Sequence, residues 1–234
     1  MLVPFLRFLT LATLLSQALA AEICLGVERD TVNNKGGTIG KNNLVSYGSV
    51  LTLSNPSVQA VTDENLAWLS MKGHAEMVAA WTTQYEGRDP KGAPTAMIVF
   101  APGTGNKIFL GSSIKNLKNP KQFYTREVLI QFLEDCEHRT GGRCGEFNTV
   151  QAFLDEGGSD CEIPANSRMV AWVAGKVAPA CVADKEGQVG CKEFLAKLGI
   201  RDIQPGVQLS EPSDWTFVSS NQRNNKGNGE GPSS

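Results

Sequence analysis

The sequence predicts one α/β domain with a mixed sheet, a hairpin followed by strand–helix units in a three-layer arrangement. Three observations carry this. Residues 95–100 (TAMIVF) and 107–112 (KIFLGS) are β-rich runs joined by APGTGN, whose Gly and Asn suit a turn. Four later or flanking segments place apolar residues at helical spacing. The helices alternate with short strands beyond residue 165, and strand–helix–strand units at that spacing imply parallel strands on part of the sheet.

The chain has 234 residues. Residues 1–20, MLVPFLRFLTLATLLSQALA, carry one early charge (Arg7), an apolar run from Phe8 to Leu15 and a small-residue site at Ala18-Leu19-Ala20. They read as a secretory signal peptide, which predicts a secreted protein. That run is too short for a membrane span. Residues 21–60 read as an N-terminal arm rich in Gly, Asn and Ser, with a short strand at 50–53 and with Cys24 as a disulfide tether. Residues 61–218 form the domain. Residues 219–234, SSNQRNNKGNGEGPSS, lack any bulky apolar residue and read as a disordered tail.

Within the domain, Thr62 can cap a helix to about Tyr85. Trp68, Leu69, Met71, Ala75, Met77, Val78 and Trp81 form its apolar face. His74-Ala-Glu76 looks like a metal-ligand motif, but the next strand ends in APGTGN with no partner ligand. It therefore reads as an ordinary helical pair. Thr125 can cap a helix with Glu127 in its first turn and Val128, Leu129, Phe132, Leu133 and Cys136 inward. Gly141-Gly142 ends that element. A helix from about Cys144 to Asp155 follows, with Phe147, Val150, Phe153 and Leu154 inward. Met169–Ala174 is a short buried strand. Cys191, Phe194, Leu195 and Leu198 recur at i, i+3, i+4 and i+7, and Gly199 stops that helix. Residues 200–203 and 215–218 are the last strands.

The formal net charge is −2, which argues against an overall polyanion binder. Lys91, Lys107, Lys115, Lys118, Lys121 and Arg126 nevertheless fall between Asp89 and Glu127 without an acid among them. That stretch is either a solvated surface or a local phosphate contact, so nucleic acid stays a candidate partner. The six cysteines are Cys24, Cys136, Cys144, Cys161, Cys181 and Cys191. In a secreted chain an even count points first to disulfides.

The chemistry concentrates in GGRCGEFNTVQAFLD (141–155). Cys144 and Glu146 stand where a turn enters a helix, and Cys191 stands at another helix start. Helix N-termini favour thiolates. Positions two apart do not share a helical face, so the pair works together only at an irregular first turn, which Gly145 permits.

With the hairpin, GRCGEFNTVQAFLDEGG, the strand RMVAWVAG and PACVADKEGQVGCKEFLAKLGI, residues from about 94 to 203 resemble the cytidine deaminase-like superfamily. The likeness is to its secreted, toxin-associated branches, where Cys can replace the usual His. The resemblance implies a zinc-dependent hydrolase acting on a nucleobase, nucleoside or nucleic acid. It implies Cys144, Cys181 and Cys191 as zinc ligands and Glu146 as proton carrier. In such sites three ligands leave the fourth position to water, and a carboxylate moves protons to the leaving amine. It also implies Ser112, Ser113 and Asn116 near the substrate. One spacing departs from the pattern. The family has Pro-Cys-x-x-Cys, whereas here nine residues, VADKEGQVG, separate Cys181 from Cys191. That insertion either loops out or lets Cys181 and Cys191 form a disulfide. Cys144 can equally pair with Cys136. A non-catalytic, disulfide-stabilised effector or binding protein therefore stands as the alternative.

Overall fold

The computed structural model describes residues 23–30, 45–84, 94–115, 123–157 and 162–220. The signal-peptide segment, Cys161, Asn116, Lys91, Lys118 and Lys121 lie outside them. So does the tail beyond Ser220.

The strands are β1 (Glu28–Arg29), β2 (Tyr47–Asn55), β3 (Ala96–Ala101), β4 (Lys107–Ser112), β5 (Glu137–His138), β6 (Arg168–Val173), β7 (Lys176–Ala178), β8 (Gln188–Val189), β9 (Arg201–Asp202) and β10 (Thr216–Ser220). The helices are α1 (Asp63–Gln84), α2 (Glu127–Asp135), α3 (Gly145–Gly157) and α4 (Cys191–Lys197). The main sheet runs β1-β2-β4-β3-β6-β7, with β10 also on β2 and β9 also on β6. It is mostly antiparallel. β9 runs parallel to β6, as the intervening α4 requires. β4 and β6 are both antiparallel to β3, so the connection through α3 links two strands of one direction.

Alternation along β3 divides the core. Met97, Val99 and Ala101 face one apolar cluster with Leu66, Leu69 and Met77 of α1. Ile98 and Phe100 face another with Phe147, Val150 and Phe153 of α3 and Phe194 and Leu195 of α4. Such period-two partition puts helices on both faces of the sheet, giving three layers. Each large side chain so buried contributes about 1.5–3 kcal/mol of transfer free energy. Thr62 caps α1 as expected, its Oγ1 accepting the Asn65 N–H at 3.2 Å.

Several boundaries differ from the sequence expectation. The stretch expected as an arm is part of the sheet. β2 spans nine residues, and Leu25, Val27, Val45 and Tyr47 are core. Cys24 is a free, exposed thiol rather than a tether. The carboxylate of Glu76 ties this segment down instead, accepting the N–H groups of Leu25 (2.8 Å) and Val27 (3.2 Å). That is a structural role for half of the His74-Ala-Glu76 motif. The expected tail begins too early, because Ser219 and Ser220 pair with Leu51 and Val50 in β10. Thr125 does not cap α2. Its hydroxyl accepts from Gln151 Nε2 at 2.6 Å, and Arg126 is the capping position. β7 was not expected either. It returns from β6 through Ala174 and Gly175, both at positive φ (51° and 82°), as a two-residue hairpin turn demands.

Candidate metal centre

Five residues from four places in the chain meet at one end of the sheet. Cys144 immediately precedes α3, whose first two residues are Gly145 and Glu146. Gly145 permits this entry. A Cβ there would lie 2.4 Å from Ile98 Cγ1 and 3.1 Å from the Gly111 carbonyl oxygen, so only glycine lets α3 start against β3 and β4. Cys181 follows β7 in a loop fixed by the Ala180 N–H, which donates to Asp202 of β9 at 2.9 Å. Cys191 is the first residue of α4. The α3 and α4 starts are joined by Phe147 and Phe194, stacked at 3.9 Å between centroids and 11° between planes.

The insertion between Cys181 and Cys191 loops out and comes back. Lys192 N–H donates to the Cys181 carbonyl at 3.1 Å, and Cys191 N–H points at the Cys181 sulfur at 3.3 Å. Gly190 makes the return tight, since a Cβ on it would stand 2.1 Å from the Cys181 carbonyl oxygen. The extra length forms β8, which pairs in parallel with β5. That pairing delivers His138, a residue the sequence reading did not select. Its signal was faint: one of only two histidines, six positions before Cys144.

One ligand atom each from His138, Cys144, Cys181 and Cys191 lies within 4.8 Å of the others, and together they could hold a metal ion. The Cys144 and Cys181 sulfurs are 3.8 Å apart, and His138 Nε2 is 3.7 Å from the Cys191 sulfur. A tetrahedral zinc site with Zn–S bonds near 2.3 Å has sulfur–sulfur edges of about 3.8 Å, so the sulfur pair fits such an ion. A disulfide needs sulfurs at about 2.05 Å. Among the described residues Cys24, Cys136, Cys144, Cys181 and Cys191 are all free thiols. Cys136 turns to the Phe132 carbonyl at 2.8 Å rather than toward Cys144.

Burial and mutual hydrogen bonding shift the thiols of this cluster in opposite directions. Hydrogen bonds from the Cys144 and Cys191 thiols hold Cys181 far below the ordinary thiol range. The same donation to Cys181 pushes Cys144 up, and burial pushes Cys191 up. Glu146 is 7% exposed. Burial first, and then the Cys181 charge, raise its carboxyl to about 7, against hydrogen bonds from its own backbone N–H and, less, from Cys191 that lower it. Burial lowers His138.

Ser112 and Ser113 lie at the end of β4 near this centre's entry helix, with hydroxyls already engaged. Ser112 is fully buried; its Oγ accepts the Tyr47 N–H at 2.8 Å and donates to the Ser113 carbonyl at 2.9 Å. Ser113 Oγ accepts the N–H groups of Thr95 and Ala96. Asn148 Nδ2 donates to the Ser112 carbonyl at 3.1 Å, binding α3 to that strand end. Of the basic stretch, Lys107 pairs with Glu156 and Arg126 with Asp155, both acids coming from α3. Among the described residues no helix is long and apolar enough to cross a membrane.

No protein-family model, no curated protein and no solved structure matches this chain.

Proposed function

We propose that this chain is a secreted, zinc-dependent deaminase-like hydrolase acting on a nucleobase, nucleoside or nucleic acid, in a toxin or effector role. The observation that carries the reading is the convergence of Cys144, Cys181 and Cys191 beside a buried Glu146. The strand–helix order around β3, β4 and β6 supports it. Zinc, when bound, supplies a Lewis acid that makes water nucleophilic near neutral pH. The three cysteines would hold it. Glu146 would take a proton from the attacking water and pass it to the amine leaving the ring carbon. A buried carboxyl raised to about 7 suits both halves of that transfer, since it can accept and return a proton near neutrality. Phe147 and Phe194 join the two helix starts beside Cys144 and Cys191.

The test is metal analysis of the purified chain, followed by ammonia release from cytosine- and adenine-containing substrates. About one zinc per chain, with turnover abolished in Glu146→Gln but metal retained, supports the proposal. A metal-free chain, or turnover unaffected in Glu146→Gln, overturns it.

The alternative is a non-catalytic, disulfide-stabilised effector or binding protein, which requires thiols that are free here, Cys136, Cys144, Cys181 and Cys191 among them, to be oxidised. Intact mass after trapping free thiols separates the two, because three disulfides leave nothing to trap.

A further inference from the structure

Four candidate ligands raise a question of count. A site with four protein ligands is closed, whereas a hydrolytic metal site keeps one position open. The distances do not decide whether His138 is the fourth, because 3.7 Å between Nε2 and a sulfur suits both a shared metal and an N–H···S contact. The other ring nitrogen does decide it.

The backbone N–H groups of Thr140 and Gly142 both point at His138 Nδ1, each at 3.3 Å. A backbone N–H can only donate. Nδ1 must then be the unprotonated, accepting nitrogen, and the ring proton sits on Nε2. Turning the ring over would aim two amide hydrogens at a carbon. The turn that supplies them is built for this, with Gly141 and Gly142 at φ of 59° and 76°, and the Tyr124 hydroxyl donating to the Gly142 carbonyl. Thr140 Oγ1 is the other polar atom beside Nδ1, also at 3.3 Å. It is 2.9 Å from the Cys144 sulfur, where its hydrogen has an acceptor.

We propose that His138 is not a metal ligand but the N–H donor to the Cys191 sulfur, leaving the site with three thiolates and an open fourth position. Each sulfur then has one donor of its own. Thr140 Oγ1–H serves Cys144, the Cys191 N–H serves Cys181, and His138 Nε2–H serves Cys191. Three thiolates on a divalent cation leave a net negative charge. Three hydrogen bonds to sulfur disperse it and fix the sulfurs' directions. His138 is thus a positioning residue, and the β5–β8 pairing made by the inserted residues is what brings it to the cluster. The inference rests on the metal site proposed above.

The test uses the full chain loaded with cadmium-113 and labelled with nitrogen-15. Long-range proton–nitrogen spectra report which ring nitrogen of His138 carries hydrogen, and a cadmium–nitrogen coupling reports ligation. A proton on Nε2 with no coupling to the metal is the expected result. A coupling between cadmium and Nε2 overturns this inference but leaves the metal site standing. Failure to bind cadmium overturns both. As a second variant, His138→Phe keeps an aromatic ring against Phe132 and Phe147. It should keep one metal per chain and an undiminished three-thiolate charge-transfer band with cobalt, while affinity falls about 10–100-fold, as for other outer-shell losses. A weakened thiolate band or an altered stoichiometry with cobalt overturns the assignment.

Discussion

The Cys144 and Cys181 sulfurs approach to 3.8 Å although 37 positions separate them in the chain. Nothing local produces that approach. Cys144 is placed by the close seating of α3 on β3 and β4, and Cys181 by the β6–β7 hairpin and the Ala180–Asp202 hydrogen bond. Two long-range constraints thus converge on one pair of thiols, within a cluster that could hold a metal ion.

Metal should therefore stabilise the fold. A ligand that binds only the folded chain adds about 2.7 kcal/mol when its free concentration is a hundred times its dissociation constant. Thermal unfolding with zinc and then with excess chelator should show a clear fall in the midpoint. Cys181→Ser should abolish that difference, because serine offers no thiolate. A chelator-insensitive midpoint in the unsubstituted chain would contradict a structural linkage between metal and fold.

Gly190 should tolerate no side chain. A methyl group at 2.1 Å from the Cys181 carbonyl oxygen meets backbone, which cannot rotate away. Gly190→Ala should shift the Cys181 loop from the Cys191 helix, costing about 1–3 kcal/mol as overpacking does. Metal affinity should fall with it. Denaturant unfolding and metal titration on the same sample measure both.

The Phe147–Phe194 stack links the helix entered from Cys144 to the one opened by Cys191. Phe194 is fully buried. Phe194→Ala should cost about 3–5 kcal/mol, the range for emptying a buried aromatic site. If the stack also aligns the sulfurs, Phe194→Leu should weaken metal binding more than Leu129→Ala, whose side chain lies on α2. Equal effects on binding would assign Phe194 to packing alone.

The local patterns reached the helices and the hairpin because those signals lie within a few residues of one another. Cys191, Phe194 and Leu195 repeat at helical spacing and are all buried. β4 has the bounds, Lys107–Ser112, that its β-rich run after a turn implies. Cys144, Cys181 and Cys191 do converge, and Glu146 is buried beside them. What escaped depends on pairing between distant segments. β1, β5 and β8 have two residues each, too few for any period. β7 hides behind an Ala-Gly turn that forces a non-glycine residue to positive φ, which costs about 1–2 kcal/mol. His138 was invisible because its partner strand β8 lies inside the insertion that first seemed to spoil the motif.

A last prediction concerns acid stability far from the metal. Asp63 opens α1 and joins it to two strands, its carboxylate accepting from Arg168 of β6 at 3.0 Å and from Arg201 of β9 at 2.8 and 2.9 Å. The hydrogen bond from Arg201, with help from Arg168 and against some burial, holds the Asp63 carboxyl below its usual value. A carboxyl depressed in the folded state releases its proton more readily there than in the unfolded chain. Its contribution to stability is present above the unfolded value of about 3.9 and is lost as pH falls through the lower folded value. Asp63 is partly exposed, so solvent screening keeps the contribution small. Asp63→Asn should lower stability at neutral pH and flatten the decline below about pH 4. Chelated samples should be used, because acid also protonates thiolates and would release metal in the same titration. Parallel acid limbs for the two proteins would show that the Asp63–Arg201 pair contributes nothing to the pH dependence.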